Sequence, residues 1–479
     1  MVQQQGIRFG TDGWRGIIAD RFTFANVDRV ARAAAQVLAA NFGHLETRRI
    51  MVGYDRRFLS DRFARCAAEA IAEQGYEVYL AQNYCSTPAM SWAAFSQRAL
   101  GAVVITASHN PPEYNGFKIK GAFGGSVPKS VTEQVEKTLA EEIEKRSGGS
   151  ITTFDPWSDY AAVLQKKVDL EKIKESFRSG KVKVLVNPMY GAASGGLGKI
   201  LGELPGLGEI NNRHDPLFGG VPPEPIAKYL GDFCQQVQQL QGENPDRIVF
   251  GLAFDGDGDR IAAVDGEGNY LSSQVLIPVL IEHLHCQHGL LGQVVKTISG
   301  SDLIPRVAQL YNLPVVETAI GFKYIATEML KGGLTLLGGE ESGGIGYGNH
   351  IPERDALLSA LYVLEAVVTR EKDIPSLYRA LQEKANFYSA YDRIDITVKQ
   401  PQTLIDTLAK HCPDRVADRS VLSVQTIDGF KLRLEGDSWL LIRFSGTEPL
   451  LRLYSEAPTI EEVRQILQWI REWVEKVDY

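Results

Sequence analysis

The sequence predicts an α/β protein: three related mixed α/β domains, then a smaller C-terminal α+β domain with an antiparallel sheet. Three observations carry that expectation. Over the first three quarters of the chain, apolar strands alternate with helix-period segments, and three strands end in a polar or glycine-rich loop. Over the last quarter, alternating strands follow one another closely, with a hairpin signal at Asp428-Gly429. The length of 479 residues exceeds one ordinary core and suggests roughly three or four domains. The boundaries are placed at residues 1–150, 151–270, 271–384 and 385–479.

In the first domain, Val27, Val30, Ala34, Val37 and Leu38 share one helix face, with Thr23 or Asn26 as cap. Arg49 to Tyr54 reads as a strand, Ser60 to Gln74 as a helix closed by Gly75, and Tyr76 to Leu80 as a strand. Pro88 opens a helix at its tolerated first position. The apolar run Ala102 to Ile105 is a buried strand. Asn110-Pro111-Pro112 forces the backbone out of the sheet soon after it, which presents Ser108 on a rim. This β-α-β-α-β order implies a mostly parallel sheet covered on both faces. A charged helix from Thr132 to Lys145 leads to Ser147-Gly148-Gly149-Ser150, read as a linker.

The second domain has strands at Lys181 to Val186 and Ile248 to Phe254, the latter running into Asp255-Gly256-Asp257-Gly258-Asp259-Arg260. The third has helices through Val275 to Leu284, 302–311 and 322–330, and strands at Gln293 to Thr297, Pro314 to Val316 and Leu334 to Leu337. Its last strand ends in Gly338-Gly339-Glu340-Glu341-Ser342-Gly343-Gly344. The fourth has strands at Arg393 to Val398, Phe430 to Leu434, Trp439 to Phe444 and Leu450 to Ser455, with helices near 402–410 and from Thr459.

Hydrophobic residues make up 44% and charged residues 23%, ordinary for a globular protein. A net charge of −8 gives no reason to expect nucleic-acid binding. The five cysteines are scattered and form no C-x-x-C pair, which points to reduced thiols in a cytoplasmic protein. No secretory signal and no membrane-spanning stretch is evident.

Four loops carry chemistry. Asp255, Asp257 and Asp259 stand at alternate positions, so an extended backbone would point all three carboxylates one way. Their repulsion calls for a cation, and oxygen-only ligation selects Mg²⁺. Position 12 counted from Asp255 is Gly266, so this is no EF-hand loop. Ser108 could be a nucleophile if assisted by Lys118 or His109, and no G-x-S-x-G elbow surrounds it. Arg443-Phe444-Ser445-Gly446-Thr447-Glu448 resembles an anion cradle, with Arg452 adding charge. Glu340 and its neighbours suit sugar hydroxyls. Near the start, Arg8 and Arg15 flank a glycine-bracketed turn and are expected to face the serine loop. His283, His285, Cys286 and His288 look like a metal cluster, but helical neighbours point apart and no second ligand group is evident, so they are expected to be surface or half-buried helix residues.

In order, T-A-S-H-N-P with N-G-x-K, D-G-D-G-D-R, G-E-E-S-G and R-x-S-G-T-E resemble the α-D-phosphohexomutase family over essentially the full length. That resemblance implies four domains around a central active-site cleft, with a phosphate carried on Ser108. It implies Mg²⁺ on Asp255, Asp257, Asp259 and phosphorylated Ser108, and catalysis by Ser108 with Lys118, His109 and Arg15. Glu340 and Ser342 would hold the sugar, with Lys323, His350, Arg354 and Arg260 around it. Arg443, Ser445, Gly446, Thr447 and Arg452 would grip the non-reacting phosphate on a mobile fourth domain. The family's T-P-T-G is replaced by Thr318-Ala319-Ile320-Gly321, which removes one hydroxyl.

Glu-Glu-Ser in the sugar loop resembles the glucose-preferring members, so the expected reaction joins glucose 1-phosphate and glucose 6-phosphate through glucose 1,6-bisphosphate, with some mannose tolerance. A glucose-1,6-bisphosphate synthase, a non-catalytic phosphosugar sensor and a metal-dependent phosphatase are the alternatives. The expected partners are small phosphosugars, with no nucleic acid and no membrane, in a monomer or homodimer.

Overall fold

A computed structural model describes residues 6–10, 12–140, 148–399, 401–444 and 450–477. Its strands form four sheets. The first contains β1 (Trp14–Ile17), β2 (Arg49–Tyr54), β3 (Glu77–Ala81), β4 (Gly101–Ile105), β5 (Tyr114–Gly121) and β6 (Ser150–Phe154), in the order β1-β5-β4-β2-β3-β6. The inner pairings from β4 through β2 and β3 to β6 are parallel, while β5 runs antiparallel to both β4 and β1.

Two expectations change here. The serine loop is the turn of the β4–β5 hairpin, because Asn115 to Lys118 continue as strand rather than loop. Ser150, read as the end of a linker, instead starts β6, which pairs with β3 from Glu77↔Ser150 onward. The charged helix spans Lys129–Thr138; residues 141–147, where it was expected to continue, lie outside the described residues.

The second sheet has β7 (Val182–Asn187), β8 (Leu207–Glu209), β9 (Ile248–Phe254), β10 (Ile261–Val264) and β11 (Tyr270–Leu271), ordered β11-β10-β9-β7-β8. The third has β12 (Gln293–Thr297), β13 (Val315–Thr318), β14 (Thr335–Gly339) and β15 (Ile345–Tyr347), ordered β13-β12-β14-β15. The fourth is antiparallel throughout: β16 (Ala390–Thr397), β17 (Arg415–Val416), β18 (Arg419–Gln425), β19 (Phe430–Leu434), β20 (Ser438–Phe444) and β21 (Leu450–Ala457).

Local sequence explains the helices. Thr23, not Asn26, caps the helix Phe24–Phe42, its hydroxyl accepting from Asn26 N at 3.3 Å. That helix and Ser60–Ala72 lie together on one side of the first sheet, and Thr87–Ser96 packs into a separate core on the other. Asp355 caps the helix Ala356–Arg370, whose residues 356–368 are all buried. A helix buried on every side has to be central, and one continuous apolar core joins it to strands and helices of the first three sheets. No helix among the described residues is long and apolar enough to cross a membrane.

The fourth sheet docks on the third unit through Ile298, Trp439, Leu441 and Tyr454. Glu456, fully buried, accepts from Trp439 Nε1 at 2.7 Å, Asp302 N at 2.8 Å, Ser389 Oγ at 2.8 Å, and Ser301 Oγ.

Candidate active site

Ser108 sits in the β4–β5 turn with φ of +53°, the left-handed region. For a residue with a Cβ that conformation is unfavourable unless its surroundings enforce it. Arg57 does so: its guanidinium donates to the carbonyls of Ser108 at 2.7 Å, Asn110 at 2.6 Å, Pro111 at 2.8 Å and Tyr114 at 3.0 Å. It is itself anchored on Asp55 at 3.2 Å, both side chains fully buried. Thr106 Oγ1 accepts from Ser108 N at 2.9 Å. So held, Ser108 Oγ donates to Asp255 Oδ2 at 2.8 Å and lies 3.4 Å from His109 Nδ1.

Asp255, Asp257 and Asp259 are fully buried, and one oxygen of each lies within 4.8 Å of the others. Their backbone is not extended, as the alternate spacing suggested. It is a turn in which Asp255 Oδ1 accepts from Asp259 N at 3.0 Å and Arg260 N at 3.1 Å, with Gly258 at φ of +70°. The convergence comes from the turn. Thr87 from the first unit buttresses it, its N–H donating to Asp257 O at 2.9 Å and its hydroxyl to the Asp257 carboxylate.

Lys118 Nζ enters this cluster from β5, 2.8 Å from Asp257, 3.0 Å from Asp259 and 2.8 Å from Asp12. Burial would lower its pKa, but these carboxylates hold the ammonium above its ordinary value. Arg354 bridges three units: Asp12 at 2.6 Å, Asp259 at 2.7 Å, and Glu340 at 3.6 Å. Burial, reinforced by Arg260, Arg15 and Lys118, keeps the His109 imidazole well below its ordinary pKa. Burial likewise raises Asp255, helped by repulsion from Asp259 and Asp257.

The donor set fits a hard divalent cation. Oδ1 of Asp257 and of Asp259 are buried without a hydrogen-bond partner, which is costly for a carboxylate unless a cation completes it.

Arg15 donates to the side chain of Asn110 in the serine loop. Arg8 does not join it: its exposed guanidinium pairs with Glu136 at 2.8 Å. Arg260 approaches Asp259 at 3.9 Å and Glu224 at 3.8 Å. Its backbone bridges Gly344, joining the aspartate loop to the sugar loop.

In the sugar loop, Glu340 is buried and burial pushes its carboxyl up to about 7, against the pull of Arg354. Its Oε2 has no hydrogen-bond partner. Ser342 is half-buried beside it. Glu341 is turned to its own unit, accepting from Ser299 at 2.6 Å and Thr297 at 3.2 Å. Lys323 faces the first unit across a cleft it lines with Gly10, Asp12 and Gly13. His350 is not brought to the serine and aspartates: its ring stacks on Trp92 with centroids 5.1 Å apart and approaches Asp355 at 3.4 Å.

Arg443 and Arg452 are directly opposite across β20 and β21. Like charges in that register repel; Arg443 donates to Asp428 at 3.0 Å, and Arg452 stands opposite Asp395 across β16 and β21. Asp428 also accepts from Ile320 N at 3.0 Å, at the position where the hydroxyl is missing. Ser445, Gly446 and Thr447 lie outside the described residues.

Asp12, Arg57 and Thr87 escaped the sequence reading. Tyr54-Asp55-Arg56-Arg57 was nevertheless a strand end followed by charge, the same signal that marked the other loops.

Comparison with known proteins agrees with the order of the four units. Models of the phosphoglucomutase/phosphomannomutase family match in order: α/β/α domain I at residues 6–146, domain II at 158–268, domain III at 272–385, and the C-terminal domain at 396–472. A phosphoglucosamine mutase of Limosilactobacillus reuteri is 30% identical, covering 96% of both chains. A phosphoglucomutase/phosphomannomutase of Thermococcus kodakarensis is 29% identical over 97% of both. A solved structure from Thermus thermophilus, provisionally assigned as a phosphomannomutase, superimposes with a TM-score of 0.84 at 34% identity, covering 98% of this chain and 99% of its own. With its four matched domains in order and relatives along nearly its whole length, this chain belongs to the phosphoglucomutase/phosphomannomutase family, the α-D-phosphohexomutases.

Proposed function

We propose that this phosphohexomutase interconverts glucose 1-phosphate and glucose 6-phosphate, with some tolerance of mannose phosphates, using phosphorylated Ser108 and glucose 1,6-bisphosphate. The observation that carries this reading is the Ser108 hydroxyl, 2.8 Å from Asp255 in a buried carboxylate triad.

In the first transfer, a sugar hydroxyl oxygen bonds to phosphorus as the bond from phosphorus to Ser108 Oγ breaks. The hydroxyl proton passes to a neighbouring base and a proton returns to Ser108 Oγ as it leaves. The neutral His109 imidazole is the candidate by position, while Lys118, held as an ammonium among the aspartates, offsets charge and does not accept the proton. The bisphosphate then turns over, and its other phosphoryl group returns to Ser108. Such transfers depend mainly on positioning and charge neutralisation. Asp255, Asp257 and Asp259, with the phosphate on Ser108, would hold Mg²⁺, which supplies that neutralisation at the phosphoryl oxygens. Arg57 fixes the serine backbone, Arg354 and Arg15 supply further positive charge, and Glu340 accepts from sugar hydroxyls. Arg443 and Arg452 stand opposite each other across two strands, two guanidinium groups that suit a phosphate, and Ser445, Gly446 and Thr447 would contribute hydroxyl and backbone donors to it.

A phosphoglucosamine preference is the second reading, favoured by the name of the Limosilactobacillus relative. A panel of glucose, mannose, glucosamine and ribose 1-phosphates, assayed with and without the bisphosphate, separates the two. We expect the highest kcat/KM for glucose 1-phosphate and stimulation by bisphosphate. A higher value for glucosamine 1-phosphate would overturn the glucose assignment. Net release of bisphosphate would indicate the synthase, and release of free phosphate a phosphatase.

A further inference from the structure

The histidines at the end of the helix Ser273–His288 are not the scattered surface set that helical spacing suggested. His285 Nδ1 lies 3.1 Å from Leu290 O, and Cys286 is exposed. His283 and His288 converge instead on Glu365 of the central buried helix. Their Nε2 atoms lie 2.7 Å and 2.6 Å from the same Glu365 oxygen, and the three candidate ligand atoms all lie within 4.8 Å of one another. Helical spacing alone could not supply the third member, because Glu365 lies 77 residues beyond His288 in the chain.

We propose that His283, His288 and Glu365 form a second divalent-metal site, of zinc type, separate from the aspartate loop. Four observations converge on it. Glu365 is 1% exposed, and among the described residues no lysine or arginine pairs with it. A buried carboxylate requires a positive partner, and the only groups offered are two imidazoles, the commonest nitrogen ligands of zinc. His288 ends its helix, where the exposed carbonyls favour a cation. The other Glu365 oxygen accepts from Asp169 N at 2.6 Å, which orients the carboxylate as an outer partner would. His283 Nδ1 has no partner, so the ring's only polar contact among the described residues is the Nε2–H bonded to Glu365, and an ion would take the place of that proton.

A two-nitrogen, one-oxygen set selects zinc-like ions over Mg²⁺. The two N···O separations would open by about 0.7 Å to reach those around a tetrahedral ion. His288 is half-exposed, leaving water access to a fourth position. Because Asp169 caps the helix Leu170–Arg178 of the second unit, an ion here would pin the second unit against the third. The role is structural and takes no part in phosphoryl transfer.

The test uses the full chain, stripped with chelator and then kept in excess Mg²⁺ so that the aspartate loop is loaded. Co²⁺ is titrated as a spectroscopic probe. We expect one equivalent to give the visible absorption of a four- or five-coordinate site and to be displaced by Zn²⁺. His288→Ala and Glu365→Gln should each weaken binding at least about 10-fold, while His285→Ala leaves it unchanged. Absence of the absorption in the wild-type chain would overturn the proposal. So would its persistence in His288→Ala, a change at a half-exposed helix end whose effect on folding is checked by circular dichroism.

Discussion

Gly256 shows how closely two loops approach at this site. A Cβ built there would meet Ser108 O at 2.3 Å, so either the serine turn or the aspartate loop would have to shift. Gly256→Ala should therefore separate hydroxyl from carboxylates and lower kcat by about 100-fold, with much smaller loss of thermal stability. Unchanged kcat would show that the contact is not needed. Glu340 makes a second residue-scale prediction. Burial raises its carboxyl to about 7, so the carboxylate proposed to accept sugar hydroxyls forms as pH rises through that value. KM for the sugar phosphate should fall between pH 6 and pH 8, and the part due to Glu340 should vanish in Glu340→Gln. An identical pH profile in the variant would contradict this role. At this scale the three aspartates were legible because like charges at such spacing have few other uses. Asp12 and Arg57 were not, since the contacts that bring them to the site are with residues 51 or more positions away.

At the scale of elements, strands such as β9 and β12 could be read to the residue because their apolar runs match a fully covered strand. β1 and β5 could not. Their glycines, Asn115 and Lys118 read as loop, and they become strands only by pairing with each other and with β4. That pairing places Lys118 among the aspartates, so the missed strand is also what positions a predicted residue. Glu456 is the corresponding hidden element between the third and fourth units. Four donors converge on it, two of them buried, and removing it leaves those two unsatisfied. Glu456→Ala should cost roughly 3 kcal/mol, measured as reduced resistance to urea. No change in the unfolding midpoint would mean that apolar contacts alone hold this interface.

Across the whole molecule, the site exists only because several units meet. Ser108 and Lys118 come from the first, the aspartates from the second, and Glu340 and Arg354 from the third. Arg354 touches carboxylates of all three. The fourth unit reaches the third through Asp428 and Ile320, bringing its facing arginines beside the loop where the family's hydroxyl is absent. The order of four motifs along the chain was legible because each ends a strand. Their convergence was not, because it depends on packing around the buried Ala356–Arg370 helix. The account turns on covalent phosphate at one hydroxyl, and peptide mass measurement after incubation with glucose 1,6-bisphosphate tests it most directly. It predicts one phosphate on the peptide carrying Ser108, discharged by glucose 1-phosphate and absent from a Ser108→Ala variant that has lost turnover. Full turnover by that variant, or stable phosphate on a different residue, would contradict it.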